Sequence, residues 1–313
     1  MGDALLQTVF ESVSRYSPEP WRPAILTEKE RSILHRECTQ ESEFDELNSR
    51  ATFYELFRTG DLKPVIRQTA HGKVIALLAH EEQEREIPWA LWSRILRGFA
   101  PSAGGFYTIF LCAHPALRTF PAHLNSPIRP LHINGGYTYP CDKSCVFIYR
   151  AEDATRVLIH ELLHAACTDN KAVHLEQMEA ETEAWAELFW CALLSSKGDL
   201  KGFKSLVVMQ SRWMAAQNRR LVEGGHIAPG PQQFPLYPTT SELWDPKSRV
   251  ENHGSPPFPW RYTLGKTDMW RRWGIYRPGG GVSIGAMKSL RLTVPPPPAV
   301  KREFGVPATS VFL

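Results

Sequence analysis

Apolar residues at positions 5, 6, 9, 10 and 13 of "ALLQTVFESVSRY" recur at helical spacing and predict an amphipathic helix near the N-terminus. The stretch from Thr27 to Gly60 also reads as helical, with Thr27 as its N-cap and Gly60 as its stop. "IPWALWSRILRGF" predicts another helix, with Pro88 near its first turn. Residues 1–100 are therefore expected to form a mainly helical N-terminal region.

The pattern changes over residues 101–150. "GGFYTIFLCAH" and "SCVFIYR" are short runs rich in β-branched and aromatic residues, bounded by turn formers, and predict strands. "PLHINGGYTYP" between them predicts a third strand, weakened at Gly135 and Gly136. Helical spacing returns in "EDATRVLIHELLHAAC", whose leading acids suit the positive end of a helix dipole. After a break at "TDN", a second helix is expected in "AVHLEQMEAETEAWAELFWCALLSS" and a third ending at Gly224-Gly225. Residues 225–313 hold 14 of the 25 prolines, so little regular structure is expected there. Trp244, Trp260, Trp270 and Trp273 argue that this segment wraps the folded body, because disordered tails are poor in aromatics. The resulting expectation is an α+β fold: a helical N-terminal region (1–100), a core (101–224) with a small, mostly antiparallel sheet packed on a helix pair, and a Pro/Trp-rich extension (225–313) packing on that core.

Composition adds limits more than direction. With 313 residues, 43% of them hydrophobic, the chain can bury a core without staples, and a net charge of +3 gives no global argument for nucleic acid or a membrane surface. No run approaches the ~18 apolar residues of a membrane span. "MGDALLQTVF" lacks the pattern of a secretory leader, and Leu6 stands where a myristoylation signal wants Ser or Thr. The expected location is cytoplasmic or otherwise intracellular. The six cysteines are scattered, so no disulfide framework is expected; Cys141 and Cys145 read as hairpin thiols and Cys167 as a core residue.

The chemistry lies in "RVLIHELLHAACTDN". Residues i and i+4 share a helix face, so His160 and His164 can grip one ion from the same side. Glu161 is rotated by about 100° from His160, beside the ion, where it can act as a general base on a water. Catalytic zinc sites commonly take three protein ligands and leave a fourth position open. The long metzincin pattern would continue to a glycine and a third histidine, but Cys167 and Asn170 occupy those positions. Further on, "TEAWAE" places Glu183 19 residues after His164, with Glu187 one turn later.

"HELLH" followed by "TEAWAE" resembles the gluzincin metallopeptidases, the thermolysin-like class. The resemblance covers about 30 residues and implies one zinc ion per chain held by His160, His164 and Glu183, with Glu187 orienting a ligating histidine and Glu161 as the catalytic base. Thr182, Ala186 and Glu187 depart mildly from the family's N-E-A-x-S-D pattern. Glu181 and His174 are the alternative third ligands; His174 would give an all-histidine site similar to that of the SprT-like proteases, at a different spacing. Glu179 is set aside as facing away from Glu183. More widely, "HINGGYTY…VFIYRAEDATRVLIHELLHA" resembles a group of metallopeptidases of large nucleocytoplasmic DNA viruses, which would imply a viral protein associated with the virion.

Gly135, Gly136 and Tyr137 are candidate substrate-binding residues: the resemblance implies a substrate added as a strand over the active-site helix, and the two glycines would permit close approach of another backbone. Tyr137, Tyr237, Tyr262, His226 and His253 are candidates for stabilising an oxyanion. "MWRRWGIYR" could stack on bases, but at this net charge a packed surface segment is the expectation. These features lead us to expect a zinc metallopeptidase acting on a peptide or protein substrate, without membrane or nucleic-acid partners. Two alternatives stay open: a non-catalytic zinc-stabilised scaffold or virion component, and a protease acting on nucleic-acid-bound proteins. Oligomeric state is set by none of these features.

Overall fold

The computed structural model describes residues 2–100, 105–170, 172–173, 175–195, 199–227, 261–279 and 287–313. In chain order the helices are α1 (Gly2–Ser14), α2 (Glu28–Thr39), α3 (Ser49–Thr59), α4 (Gln83–Glu86), α5 (Trp89–Phe99), α6 (Pro130–Ile133), α7 (Ala154–Ala165), α8 (Leu175–Leu194), α9 (Leu200–Glu223), α10 (Lys266–Arg272) and α11 (Pro298–Glu303); a π turn, Arg261–Gly265, leads into α10. The strands are β1 (Arg22–Pro23), β2 (Val65–Gln68), β3 (Gly72–Leu78), β4 (Tyr107–Ala113), β5 (Gly136–Thr138) and β6 (Val146–Ile148).

The strands form one sheet in the order β1-β2-β3-β4-β6-β5. The pairs β1–β2, β2–β3 and β5–β6 are antiparallel, whereas β3–β4 and β4–β6 are parallel. The class is α+β, with a mixed sheet. Its two faces are both covered. Val74, Ala76, Ile109, Leu111, Val146 and Ile148 point towards α1, α5, α7, α8 and α9, while Ile75, Leu77, Phe110, Cys112 and Phe147 point towards α2 and α3.

The N-terminal region is less helical than expected, because β2 and β3 lie within it and β3 is central to the sheet. Every residue of β3 is buried. A strand covered on both faces has no reason to alternate apolar and polar residues, so "KVIALL" carries no period-two signal. The long helical stretch from Thr27 divides into α2 and α3. Thr27 caps α2 in a reciprocal capping box with Glu30, and Gly60 closes α3 at φ 86°.

The C-terminal segment wraps the body where it is described. Trp270 Nε1 donates to Ala184 O at 3.0 Å, and Trp273 packs on Trp185 with ring centroids 4.6 Å apart. Two arginines of "MWRRWGIYR" have acidic partners within the chain: Arg271 pairs with Asp268 at 2.5 Å, and Arg277 reaches Asp3 at 3.5 Å. Trp244 and Trp260 lie outside the described residues. Among the described residues, no helix is long and apolar enough to cross a membrane.

Candidate metal centre

All twelve residues of α7 are buried, wedged between the β5–β6 end of the sheet and α8. Its N-terminus is held from outside. Asp153, at the N-cap with φ 59°, gives its carboxylate to Arg291, Thr293 and the Leu292 N–H rather than to the helix's own first turn. Glu152 accepts from the Arg118 N–H. The acids expected to complement the dipole thus anchor the C-terminal segment and the Arg118 loop.

The helical spacing puts the two histidines on one face. His160 Nε2 and His164 Nε2 stand 3.0 Å apart. Glu179 on α8 completes the group, with Oε2 3.6 Å from His160 Nε2 and 3.7 Å from His164 Nε2. These three donors all lie within 4.8 Å of one another. Two nitrogens bound tetrahedrally at ordinary zinc distances are separated by about 3.3 Å, so the donors stand close to the required spacing.

The other ring nitrogens are also engaged. His164 Nδ1 meets Asp169 Oδ1 at 2.7 Å. Glu183 Oε1 lies 3.1 Å from His160 Nδ1, an ion-pair contact without hydrogen-bond alignment. The Asp169 hydrogen bond fixes the tautomer and ring angle of His164, and the Glu183 carboxylate stands behind the His160 ring as an electrostatic partner. The donor set and its surroundings therefore fit zinc.

Glu183, expected as the third ligand, faces the far side of His160, and its other oxygen pairs with Arg156. Glu187, expected as the orienting acid, lies a turn further away and pairs with Arg156 Nε at 3.0 Å and Lys266 Nζ at 3.2 Å. The carboxylate pair is thus shifted by one helical turn: Glu179 faces the histidine Nε2 atoms and Glu183 stands behind a ring. Glu179 precedes Glu183 by four residues, which puts both on the same face of α8 and corrects the opposite expectation. Glu181 is about 200° round the helix from Glu179 and outside the donor group. His174 lies outside the described residues.

Glu161 is buried beside this group. Burial pushes its carboxyl up to about 7, against the pull of the two imidazoles. Burial opposes charge on His164 as well, but Glu179 and Asp169 outweigh it and hold the imidazolium well above its usual range. Glu183 is likewise penalised by burial, yet Arg156, His160 and Lys266 keep its pKa below the usual carboxylate value.

β5 lies at the edge of the sheet, and Gly136 packs against α7. A Cβ there would meet Val157 Cγ1 at 2.6 Å and Glu161 Oε1 at 3.3 Å. Gly135 is pressed by Arg118, Arg150 and Val157, so both glycines first serve packing of the protein against itself. Tyr137 points to the other face of the sheet. Its hydroxyl donates to Glu37 at 2.8 Å and accepts from Arg50 at 3.0 Å, which removes it from the metal group.

Among the other oxyanion candidates, His226 Nδ1 contacts Ser126 O at 2.7 Å in a separate apolar cluster. Tyr262 packs into that cluster together with Ala180, the neighbour of Glu179. Tyr237 and His253 lie outside the described residues.

Cys141 and Cys167 form a disulfide, contrary to the expectation of free thiols, whereas Cys145 is a buried free thiol. No family model, curated protein or solved structure matches this chain.

Proposed function

We propose that the protein is a zinc-dependent metallopeptidase, with His160, His164 and Glu179 as ligands. The observation that carries this reading is the convergence of those three donors beside a buried, base-competent Glu161, with a carboxylate behind each imidazole. Zinc held there would supply Lewis acidity and lower the pKa of a water towards about 7.

The remaining work falls to the chain. Glu161 takes a proton from the attacking water and returns it to the leaving amine, a role suited to a carboxyl whose pKa lies near neutrality. Its Oε1 is close to the start of β5, so an extended peptide added to that edge would run past the base. Asp169 and Glu183 hold the imidazoles in place, and Arg156 holds Glu183. The substrate class that fits is an extended peptide or a protein segment.

The test is metal analysis together with peptide cleavage. Purified protein should carry about one zinc per chain, as three-ligand sites do. Glu161→Gln should retain it and lose hydrolysis. A protein without bound zinc, or an E161Q variant as active as wild type, would overturn the reading.

A further inference from the structure

The Cys141–Cys167 disulfide lies against the candidate metal centre. Cys141 is in the connection between β5 and β6, and Cys167 follows the last turn of α7. Their Cα atoms are 4.6 Å apart, and both backbone N–H groups donate to the same carbonyl, His164 O, each at 3.0 Å. The link therefore ties the hairpin that carries the edge strand to a ligating residue.

Two residues beyond Cys167, Asp169 places its carboxylate on His164 Nδ1 at 2.7 Å. The intervening Thr168 is fastened back to Leu163 O through its hydroxyl at 2.8 Å. Cys141 and Cys167 both hold positive φ, 65° and 61°, a region non-glycine residues enter only when their surroundings impose it. Both are exposed, whereas Cys38, Cys112, Cys145 and Cys191 are buried, so a reagent arriving from solvent meets this pair first.

We propose that this disulfide is a reducible staple that holds Asp169 on His164, and that its reduction weakens zinc binding at the centre. The inference rests on the metallopeptidase reading, of which it is a regulation. In the reductive step a dithiol reductant supplies two electrons and two protons. The Cys141–Cys167 S–S bond breaks, both sulfurs leave as thiols, and the reductant closes its own disulfide. Residues 166–170 and the hairpin tip then lose their covalent tether and keep in common only the backbone bonds to His164 O, which leaves Asp169 freer to leave the His164 ring.

The test measures zinc affinity by competition with a chromophoric chelator on the full chain. Five forms are compared: oxidised wild type, wild type reduced with a phosphine (which takes its oxygen from water), C141S/C167S, and D169N both oxidised and reduced. Circular dichroism checks that each is folded. Reduced wild type and the double variant should both bind zinc about 10-fold more weakly than the oxidised protein, the usual scale for losing the partner of a ligand. Reduction should add nothing in the D169N background, because the same contact is already lost.

Equal affinity in oxidised and reduced forms would overturn the proposal. So would two free exposed thiols persisting in air-oxidised protein, or reduction and D169N weakening binding independently. Failure of the oxidised protein to bind zinc would instead sink the metal reading, and this inference with it, so the two failures are distinguishable.

Discussion

Glu183 Oε1 stands 3.1 Å from His160 Nδ1, on the side of the ring away from the nitrogen that faces His164. That relationship separates the roles of two acids one turn apart on α8. Glu179→Ala should remove a ligand and reduce bound zinc to well below one per chain. Glu183→Gln should leave the stoichiometry at one when zinc is saturating and weaken affinity by about 10-fold, as expected for a residue behind the ligand. Chelator competition on both variants checks this. A variant pair with the order reversed would return Glu183 to the ligand position.

Arg156 is the buried cation on which both neighbouring acids depend. Its Nη2 donates to Glu183 O at 2.9 Å and also pairs with the Glu183 carboxylate, and its Nε donates to Glu187 at 3.0 Å. Removing one partner of a buried ion pair leaves an uncompensated charge and costs about 3–5 kcal/mol. Arg156→Leu should therefore lower the urea midpoint by a corresponding amount. Arg156→Lys should recover only part of it, because an ammonium cannot reproduce the planar fork. Lys266 and Gln210 still contact Glu187, which should limit the loss on that side. Equilibrium unfolding of the two variants gives the comparison, and equal stability of R156L and wild type would refute it.

The two histidines and Glu161 were legible because i and i+4 on any helix face the same way, wherever that helix packs. The carboxylate that faces their Nε2 atoms was not. Glu179, Glu183 and Glu187 are spaced one turn apart, so the sequence offers two successive carboxylate pairs of the same geometry. Which pair meets the histidines depends on how far α8 has slid along α7, and Arg156, pairing with Glu183 and Glu187, holds that register. Asp169 was hidden for a related reason: it follows the helix end, where the Cys167 turn decides where a side chain points. The strand β3 went unread because a doubly covered strand shows no alternation. The Cys141–Cys167 pairing needs the hairpin and the end of α7 to meet, a tertiary event with no local pattern.

The buried ionisable groups predict how chelator-stripped protein responds to pH. The Glu161 carboxyl is raised from 4.5 to about 7, and His164 is raised well above 6.5. Both shifts favour the protonated form in the folded state. Their stabilising contribution is complete at low pH and is lost as pH rises through the folded values. Between pH 5 and 8 the stripped protein should lose stability, with Glu161 alone contributing up to about 3 kcal/mol. Glu183 has the opposite sign, since its pKa is lowered, but its contribution is lost only below about pH 4.5, outside this window. Zinc-loaded protein should not follow the same slope, because metal binding requires the ligands deprotonated. Thermal melts of both forms across the range check this; parallel slopes would contradict it.

At Gly136 the edge strand β5 packs closely on α7. A methyl group there would stand 2.6 Å from Val157 Cγ1 and 2.9 Å from Phe147 O, and neither position can be vacated by a simple rotation of a long side chain. Overpacking of this kind costs about 1–3 kcal/mol. Glu161 Oε1, 3.3 Å from the same methyl, would also be displaced. Gly136→Ala should therefore lower both stability and hydrolysis while leaving zinc bound, since the ligands lie on α7 and α8. Adding Val157→Ala removes the closest obstacle but not the Phe147 carbonyl, so it should restore part of the stability lost to the methyl group. A double-mutant cycle measured by thermal melting and zinc content decides the matter. Additive losses would show that the strand and helix are not in contact at this position.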